Sequence, residues 1–148
     1  MGKEIERKFL VKPGFRASLP EAVNSVQGYF SVDPLRTVRL RIFNEKALLT
    51  VKSMAGSMNL ARYEWEIEVP IAMAREMMDI CLPQRITKSR YSIPWGNHTF
   101  EVDVFHGKHE GLVIAEIELD SEGEQFEKPD WLGDEVTGNP DYYNSNLV

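Results

Sequence analysis

The chain has 148 residues, 43% of them hydrophobic, so it can form one domain with a substantial core. Its formal net charge of −6 argues against a general nucleic-acid-binding protein, because phosphate backbones attract basic surfaces. A single cysteine, Cys81, excludes an internal disulfide framework and a metal site made of several cysteines. The sequence has no apolar run long enough to span a membrane and no apolar signal segment, so we expect a cytoplasmic protein without a membrane partner.

Five β-strands are predicted in the first half of the chain, because charged and apolar side chains alternate along it. The first strand runs from residue 3 to residue 12 and ends at Pro13, and a connection over residues 13–22 follows. In this strand, Glu4, Glu6 and Lys8 share one face. The four later strands of this half cover residues 25–32, 37–43, 47–53 and 61–69.

A helix and three further strands are predicted in the second half. The helix covers residues 71–82, since Met73, Met77 and Cys81 recur at helical spacing and Pro83 ends the pattern. The tail beyond residue 120 is acidic and rich in turns, with a short helix expected near residues 141–147. Eight strands and few helices predict a mainly β (α+β) fold. The three strands of this half cover residues 85–93, 98–105 and 112–120.

One face of these strands carries charges in place of apolar residues, and we call it the charged face. Each strand tends to carry one sign, whereas a surface built for solubility mixes signs. This segregation favours a closed eight-stranded antiparallel barrel with the charged face inside over a charged outer surface around an apolar centre. The acids of the charged face are Glu4, Glu6, Glu64, Glu66, Glu101, Asp103, Glu116 and Glu118. Its bases are Lys8, Arg39, Arg41, Lys52, Lys88 and Arg90.

A charged interior must be compensated, because an unpaired buried ion costs several kcal/mol. Arginine and lysine suit a compact polyanion such as a phosphate chain. Carboxylates beside phosphate oxygens are the usual setting for Mg²⁺ or Mn²⁺. The bases therefore predict a phosphate ligand and the acids predict a divalent metal. The apolar outer face needs a cover, for which the helix, the aromatic residues of the tail and a second copy of the chain are the candidates.

With these motifs in this order, the sequence resembles the CYTH, or triphosphate tunnel metalloenzyme, family along nearly its whole length. The resemblance implies one tunnel domain over residues 1–148, whose tail, from about residue 129, forms a plug helix. It also implies metal-dependent hydrolysis or cyclisation of a triphosphate, and small bacterial members of this type are most often inorganic triphosphatases. The motifs that carry it are ExExK (Glu4, Glu6, Lys8), RxR (Arg39, Arg41), Lys52, RxExE (Arg62, Glu64, Glu66), KxR (Lys88, Arg90), ExD (Glu101, Asp103) and ExE (Glu116, Glu118).

The resemblance further implies a role for each residue of these motifs. The expected substrate-binding residues are Lys8, Arg39, Arg41, Lys52, Arg62, Lys88 and Arg90. The expected metal ligands are Glu4, Glu6, Glu101, Asp103, Glu116 and Glu118. The expected catalytic residues, which position and deprotonate the attacking water or act on the phosphate, are Glu64, Glu66, Asp103 and Lys8.

Two other functions are compatible with the same motifs. A class IV-type adenylate cyclase needs an adenine pocket, which the sequence does not locate. A non-catalytic module that binds polyphosphate or a nucleotide would keep the bases and lose a carboxylate, and here the acidic set is complete. Relatives often carry a basic residue in the C-terminal helix, but this tail has no Lys or Arg after Pro129. We therefore expect Tyr142 or Tyr143 to cover the tunnel mouth.

Overall fold

The computed structural model describes residues 2–12, 22–55, 61–143 and 146–147. The connection expected at residues 13–22 falls mostly outside these residues. The described chain is mainly β, with one antiparallel sheet and few helices, as the sequence predicted. None of its helices is long and apolar enough to cross a membrane. The strands are β1 (Gly2–Val11), β2 (Val23–Ser31), β3 (Thr37–Phe43), β4 (Lys46–Ala55), β5 (Ala61–Val69), β6 (Ile86–Trp95), β7 (His98–Phe105), β8 (Val113–Glu118) and β9 (Leu132–Glu135).

The sheet has the strand order β5-β4-β3-β2-β6-β7-β8-β1-β9. The first strand has three neighbours, because β1 pairs with β8 over residues 6–10, with β5 over residues 2–5 and with β9 near its C-terminal end. A two-residue turn at Asn44 and Glu45, both with positive φ, joins β3 to β4. The eight predicted strands are all present. Strands from the middle of the chain (β5) and from its second half (β8 and β9) all pair with β1.

Helix α1 (Ile71–Met78) follows β5 and is shorter than the helix predicted over residues 71–82. The prediction was wrong beyond Met78, because the chain tightens there into hydrogen bonds between residues three apart, such as Cys81 N to Met78 O at 3.3 Å. The guanidinium of Arg85 then donates to the Met78 carbonyl at 2.6 Å. These contacts end the helix although the apolar spacing continues to Cys81.

Apolar residues of the outer face are covered in two places. Under α1, a cluster that includes Leu40, Ala47, Val69 and Ala74 is buried between helix and sheet. Over β1, β7 and β8, a second cluster packs against Phe126 and Trp131 of the tail segment. The helix and the tail aromatics therefore both serve as the covers that the sequence suggested. The outer face of β5 has no such cover among the described residues, and Tyr63, Trp65 and Ile67 are exposed there.

The charged face ends in an apolar cluster. Tyr29, Ile86, Phe105 and Ile114 are buried together. The last three each lie two residues from a charged-face residue of their own strand, namely Lys88, Asp103 and Glu116. Leu147 of the tail completes this cluster. The predicted helix near residues 141–147 is absent from the described residues of the tail. They form β9 and one turn of 3-10 helix at Pro140–Tyr142, because the Asn139 side chain accepts from the Asp141 N–H and Pro140 begins the turn.

Candidate active site

The charged face surrounds a cavity of about 170 Å³. In the same measure a single water molecule needs about 10–15 Å³, so the cavity has room for a small ligand with its solvent. Five cationic and four anionic side chains line it. The lining residues are Glu6, Lys8, Tyr29, Thr37, Arg39, Arg41, Thr50, Lys52, Glu64, Glu66, Arg90, Glu116 and Tyr143.

The cavity brings together nine of the fifteen residues that the sequence proposed for the site. They are Glu6, Lys8, Arg39, Arg41, Lys52, Glu64, Glu66, Arg90 and Glu116. Lys88 and Asp103 are buried beside the cavity and do not line it. Glu101 and Glu118 also do not line the cavity. The side chains of Glu4 and Arg62 lie outside the described part of the structure.

Asp103 is the centre of a buried ion network behind the cavity. Its carboxylate accepts from Arg90 Nε at 2.7 Å and Nη2 at 2.9 Å, and from Lys88 Nζ at 2.6 Å. Burial lowers the pKa of Lys88 to about 8, although the charge of Asp103 opposes this shift. Burial also acts to lower the pKa of Arg90, but the hydrogen bonds and charge of Asp103 outweigh it and raise that pKa. Both oxygens of Asp103 are thus engaged by the two bases.

Glu116 connects this network to Lys8 on the neighbouring strand β1. It lies 3.1 Å from Arg90 Nη2 and 3.4 Å from Lys8 Nζ. Burial favours its neutral form, but the charges of Lys8 and Arg90 outweigh burial and lower the pKa of Glu116. Lys8 also donates to the Tyr142 carbonyl at 3.0 Å, and its ammonium lies 5.9 Å from the centre of the Tyr143 ring. The tail therefore contacts the site through a lysine that lines the cavity.

A second pair of carboxylates lies on β5. Glu66 accepts a hydrogen bond from the Thr50 hydroxyl at 2.8 Å, and Glu64 lies 4.0 Å from Lys52 Nζ. Both side chains are held by β4, because Thr50 is directly opposite Glu66 and Lys52 directly opposite Glu64. Glu66 is oriented by a neutral donor and therefore keeps its other lone pairs for a water molecule or a cation.

The arginines of β3 form the most strongly cationic part of the wall. Burial and the neighbouring charges of Arg39 and Arg90 lower the pKa of Arg41 to about 10, so it stays charged at neutral pH. Within the described residues, the Nε atoms of Arg39 and Arg41 are buried and have no hydrogen-bond partner. A buried donor of this kind needs an acceptor, which an anion in the cavity would bring close.

The carboxylates suit a hard divalent cation that has few protein ligands. In the described part of the chain, no three His, Cys, Asp or Glu side chains are placed to hold a metal ion. Mg²⁺ is commonly bound by one or two carboxylates together with substrate phosphates and water. Glu6 and Glu116 both line the cavity, on the paired strands β1 and β8, and provide hard oxygen ligands of this type. The donor chemistry therefore fits a metal that arrives with an anionic substrate.

The CYTH domain family matches residues 2–145 of the chain. The chain belongs to the CYTH family. An inorganic triphosphatase of Acetivibrio thermocellus is 49% identical over 149 residues, which cover 100% of this CYTH chain and 94% of the relative. An inorganic triphosphatase of Nitrosomonas europaea is 36% identical, and the match covers 98% of this chain and 96% of that protein. The crystal structure of the inorganic triphosphatase NE1496 has a TM-score of 0.65 and 34% identity, and the match covers 97% of this chain and 95% of that one.

Four residues of this CYTH cavity carry no charge, and reasoning from charged pairs passed over three of them. Thr37 and Thr50 each lie two residues before a predicted base, Arg39 and Lys52, and so share its face. Tyr29 lines the cavity from β2, a strand without charged residues on that face. Strand alternation alone would have found the two threonines. Tyr143, the fourth, was expected at the tunnel mouth and lines the cavity.

Proposed function

We propose that this CYTH protein is a divalent-metal-dependent hydrolase that cleaves inorganic tripolyphosphate into pyrophosphate and phosphate. The observation that carries the proposal is the cavity, which combines five bases with four carboxylates and exposes little else to a ligand. The two relatives at 49% and 36% identity, both described as inorganic triphosphatases, support the same activity. A small cavity with charged walls suits a substrate that consists of phosphate alone.

Charge balance supports a metal requirement. The charged residues that line the cavity leave one net positive charge. A triphosphate has three strongly acidic groups and two weakly acidic terminal groups, so it carries about four to five negative charges at neutral pH. About two divalent cations would compensate the difference. Mg²⁺ and Mn²⁺ prefer the carboxylate and phosphate oxygens available here.

The bases would hold the phosphate chain. Arg39 and Arg41 offer planar guanidinium groups that can bind phosphate oxygens in pairs, and Lys8 and Lys52 each offer a single compact charge. Arg90 reaches the cavity from the Asp103 network, so its charge is fixed in place before a ligand binds. We propose that Lys88 acts through Asp103 and that Arg62 contributes from β5.

Glu6 and Glu116, with Glu4 and Glu118 on the same two strands, would hold the metal. A bound divalent cation would neutralise the charge that develops on the phosphates during transfer. Asp103 has both oxygens engaged by bases, so we propose that it positions Arg90 and Lys88. Glu101, which accepts from the Ser92 hydroxyl at 2.7 Å, would act near the rim.

Glu66 or Glu64 would activate the water. A carboxylate held by Thr50 can orient a water molecule and accept its proton as the oxygen attacks the terminal phosphorus. The bond from that phosphorus to the bridging oxygen breaks, and the bridging oxygen leaves as part of pyrophosphate. Positioning and electrostatic stabilisation by the arginines would provide most of the acceleration.

We further propose that the sheet forms a closed eight-stranded barrel in a single domain that spans the chain. The pairing of β1 with both β8 and β5 supports closure. The tail from about residue 129 would plug one end, supported by Leu147 in the apolar cluster and by Tyr143 in the cavity wall. A substrate would then enter through the end that carries Glu66 and Glu118.

We also propose that two copies pair through the exposed strip of Tyr63, Trp65 and Ile67 on β5. The Tyr63 and Trp65 rings stack at 6.2 Å, which presents a flat apolar surface. Light scattering should give the mass of a dimer for the wild type and of a monomer for Trp65→Lys. A monomeric wild type would contradict this pairing.

A phosphate-release panel tests the activity. The wild type is incubated with tripolyphosphate, ATP or thiamine triphosphate, each with Mg²⁺, with Mn²⁺ or with a chelator. We expect release from tripolyphosphate at the highest rate, and none with the chelator. Cyclic AMP formed from ATP would favour the cyclase. Metal-dependent binding of tripolyphosphate without turnover would favour a binding module.

A further inference from the structure

A glutamine whose side chain has no hydrogen-bond partner among the described residues lies on the charged face. Gln27 of β2 has no solvent exposure. Its side-chain nitrogen and oxygen are both buried, and neither has a hydrogen-bond partner among the described residues. Gln27 does not line the cavity, but it lies two residues from Tyr29, which does. A primary amide is therefore held in the wall of the site, and no other described residue forms a hydrogen bond with it.

Such a residue is unfavourable for folding alone. A buried amide that makes no hydrogen bond loses its contacts with water and gains nothing in return, whereas methionine or leucine would fill similar space without this loss. Groups of this kind are rare in folded proteins, and they point to a state in which a partner is present.

The partner that Gln27 lacks is directly across the strand pair. Gln27 is opposite Arg41 in the β2–β3 register, so both side chains are on the same face, with Cβ atoms about 4.5–5.5 Å apart. Arg41 Nε is also buried and without a partner in the described structure. An amide oxygen needs a donor and a guanidinium Nε–H needs an acceptor, so the two unpaired groups are complementary.

The charged neighbours of Arg41 act on its guanidinium in opposing directions. The neighbouring guanidinium groups of Arg39 and Arg90 repel that of Arg41, while Glu66 and Asp103 attract it. A polyanion in the cavity would cancel this repulsion and draw the guanidinium toward the phosphates. Its position would then depend on whichever group fixes the Nε side of the fork, because the other side is occupied by the ligand.

We infer that Gln27 is a positioning residue for Arg41: its Oε1 accepts the Arg41 Nε–H when a polyphosphate occupies the cavity, and so aims the two terminal nitrogens of Arg41 at phosphate oxygens. This inference rests on the proposed function, because it needs an anionic ligand that Arg41 binds. Gln27 does not touch the substrate in this scheme. Instead, it determines how well Arg41 binds the substrate.

The substitution Gln27→Met separates this role from a structural one. Methionine keeps the length and removes both unpaired polar atoms, so the ligand-free variant should melt at the same temperature as the wild type or higher. The kcat/KM for tripolyphosphate should nevertheless fall about tenfold or more, since a hydrogen bond to a charged group is lost only in the bound state. The added thermal stability that tripolyphosphate gives should shrink in parallel. Gln84→Met, at an exposed glutamine, should change none of these values.

A double variant tests whether the effect passes through Arg41. In an Arg41→Lys background, which lacks the Nε–H fork, Gln27→Met should have no further effect on kcat/KM. Losses that multiply in the double variant would overturn the inference. So would a stable Gln27→Met protein with wild-type kcat/KM. If Gln27→Met does not fold, Gln27→Leu provides the same comparison.

The two proposals fail differently. A wild type that neither binds nor cleaves tripolyphosphate overturns the proposed function and this inference with it. An active wild type with a fully active Gln27→Met variant overturns this inference alone.

Discussion

The carboxylate of Asp103 holds the guanidinium of Arg90 through two hydrogen bonds, at 2.7 and 2.9 Å, while it also accepts from Lys88. Only about 3% of the Asp103 side chain is exposed. One buried carboxylate thus supports one base that enters the cavity and another that does not. This arrangement gives Arg90 a fixed orientation before any ligand arrives.

Asp103→Asn should therefore destabilise the protein strongly. The change leaves Lys88 buried without a counter-charge and removes the main partner of Arg90, and breaking a buried ion pair costs about 3–5 kcal/mol. Urea denaturation of the metal-free protein measures the loss. Adding Lys88→Met should recover part of it, because the unpaired ammonium is then gone. Asp130→Asn, at an exposed aspartate, is the control, and equal midpoints for Asp103→Asn and the wild type would refute the network's role.

Arg39→Ala and Glu6→Ala should each lower the rate of tripolyphosphate turnover about a hundredfold or more, without unfolding the sheet. Arg39 is a cation of the cavity wall, and Glu6 would hold the metal, so each change removes charge from the site alone. Phosphate release and circular dichroism are measured on the same samples. Arg36→Ala, at an exposed arginine that pairs with Asp33, should keep full activity. Retained turnover in both site variants would contradict the assignment.

Acidification should destabilise the protein through Asp103 and Glu116. In both, burial acts to raise the pKa, but the charges of neighbouring bases outweigh it, and the folded pKa falls below the unfolded values of 3.8 and 4.5. The stabilising contribution is thus complete above about pH 5 and is lost as the pH falls through the folded pKa values. The urea midpoint should decline below about pH 5.

Glu116→Gln tests the origin of that decline. The variant cannot lose the ionised carboxylate on acidification, so its urea midpoint should depend less steeply on pH than that of the wild type. Glu122→Gln, at an exposed glutamate, should preserve the wild-type slope. Parallel curves for Glu116→Gln and the wild type would remove Glu116 from the explanation.

Gly28→Ala should weaken the packing of α1 on the sheet. A Cβ at this position would lie 2.8 Å from Met78 Sδ, closer than real Cβ atoms approach, and 3.0 Å from Cys81 Cβ, which is also unusually tight. Forced shifts in a packed core cost about 1–3 kcal/mol, so the melting temperature should fall. Gly123→Ala, where an added Cβ meets no atom within 4 Å, is the matched control. Equal melting temperatures for the two variants would show that the end of α1 moves freely.

Strand alternation predicted the eight strands and placed nine of the fifteen proposed residues at one cavity, because period and sign are local properties of the sequence. Whether a charged side chain lines the cavity or is buried behind it is not a local property of the sequence. Lys88 and Arg90 look equivalent in the sequence, yet Lys88 is buried behind the cavity and Arg90 enters it. The end of α1 depends on a contact from Arg85, which lies outside the helical pattern. The short strand β9 has no alternating pattern. The sequence does not single out Gln27. Only the structure shows that its side chain has no hydrogen-bond partner among the described residues.

We propose that the cavity of Arg39, Arg41 and Glu116 cleaves a triphosphate with the help of a divalent metal. The most direct measurement is the phosphorus NMR spectrum of tripolyphosphate incubated with the wild-type protein and Mg²⁺. We predict that the tripolyphosphate signals disappear while pyrophosphate and phosphate form in equal amounts, and that a chelator stops the reaction. Unchanged tripolyphosphate in the presence of both Mg²⁺ and Mn²⁺ would contradict the account.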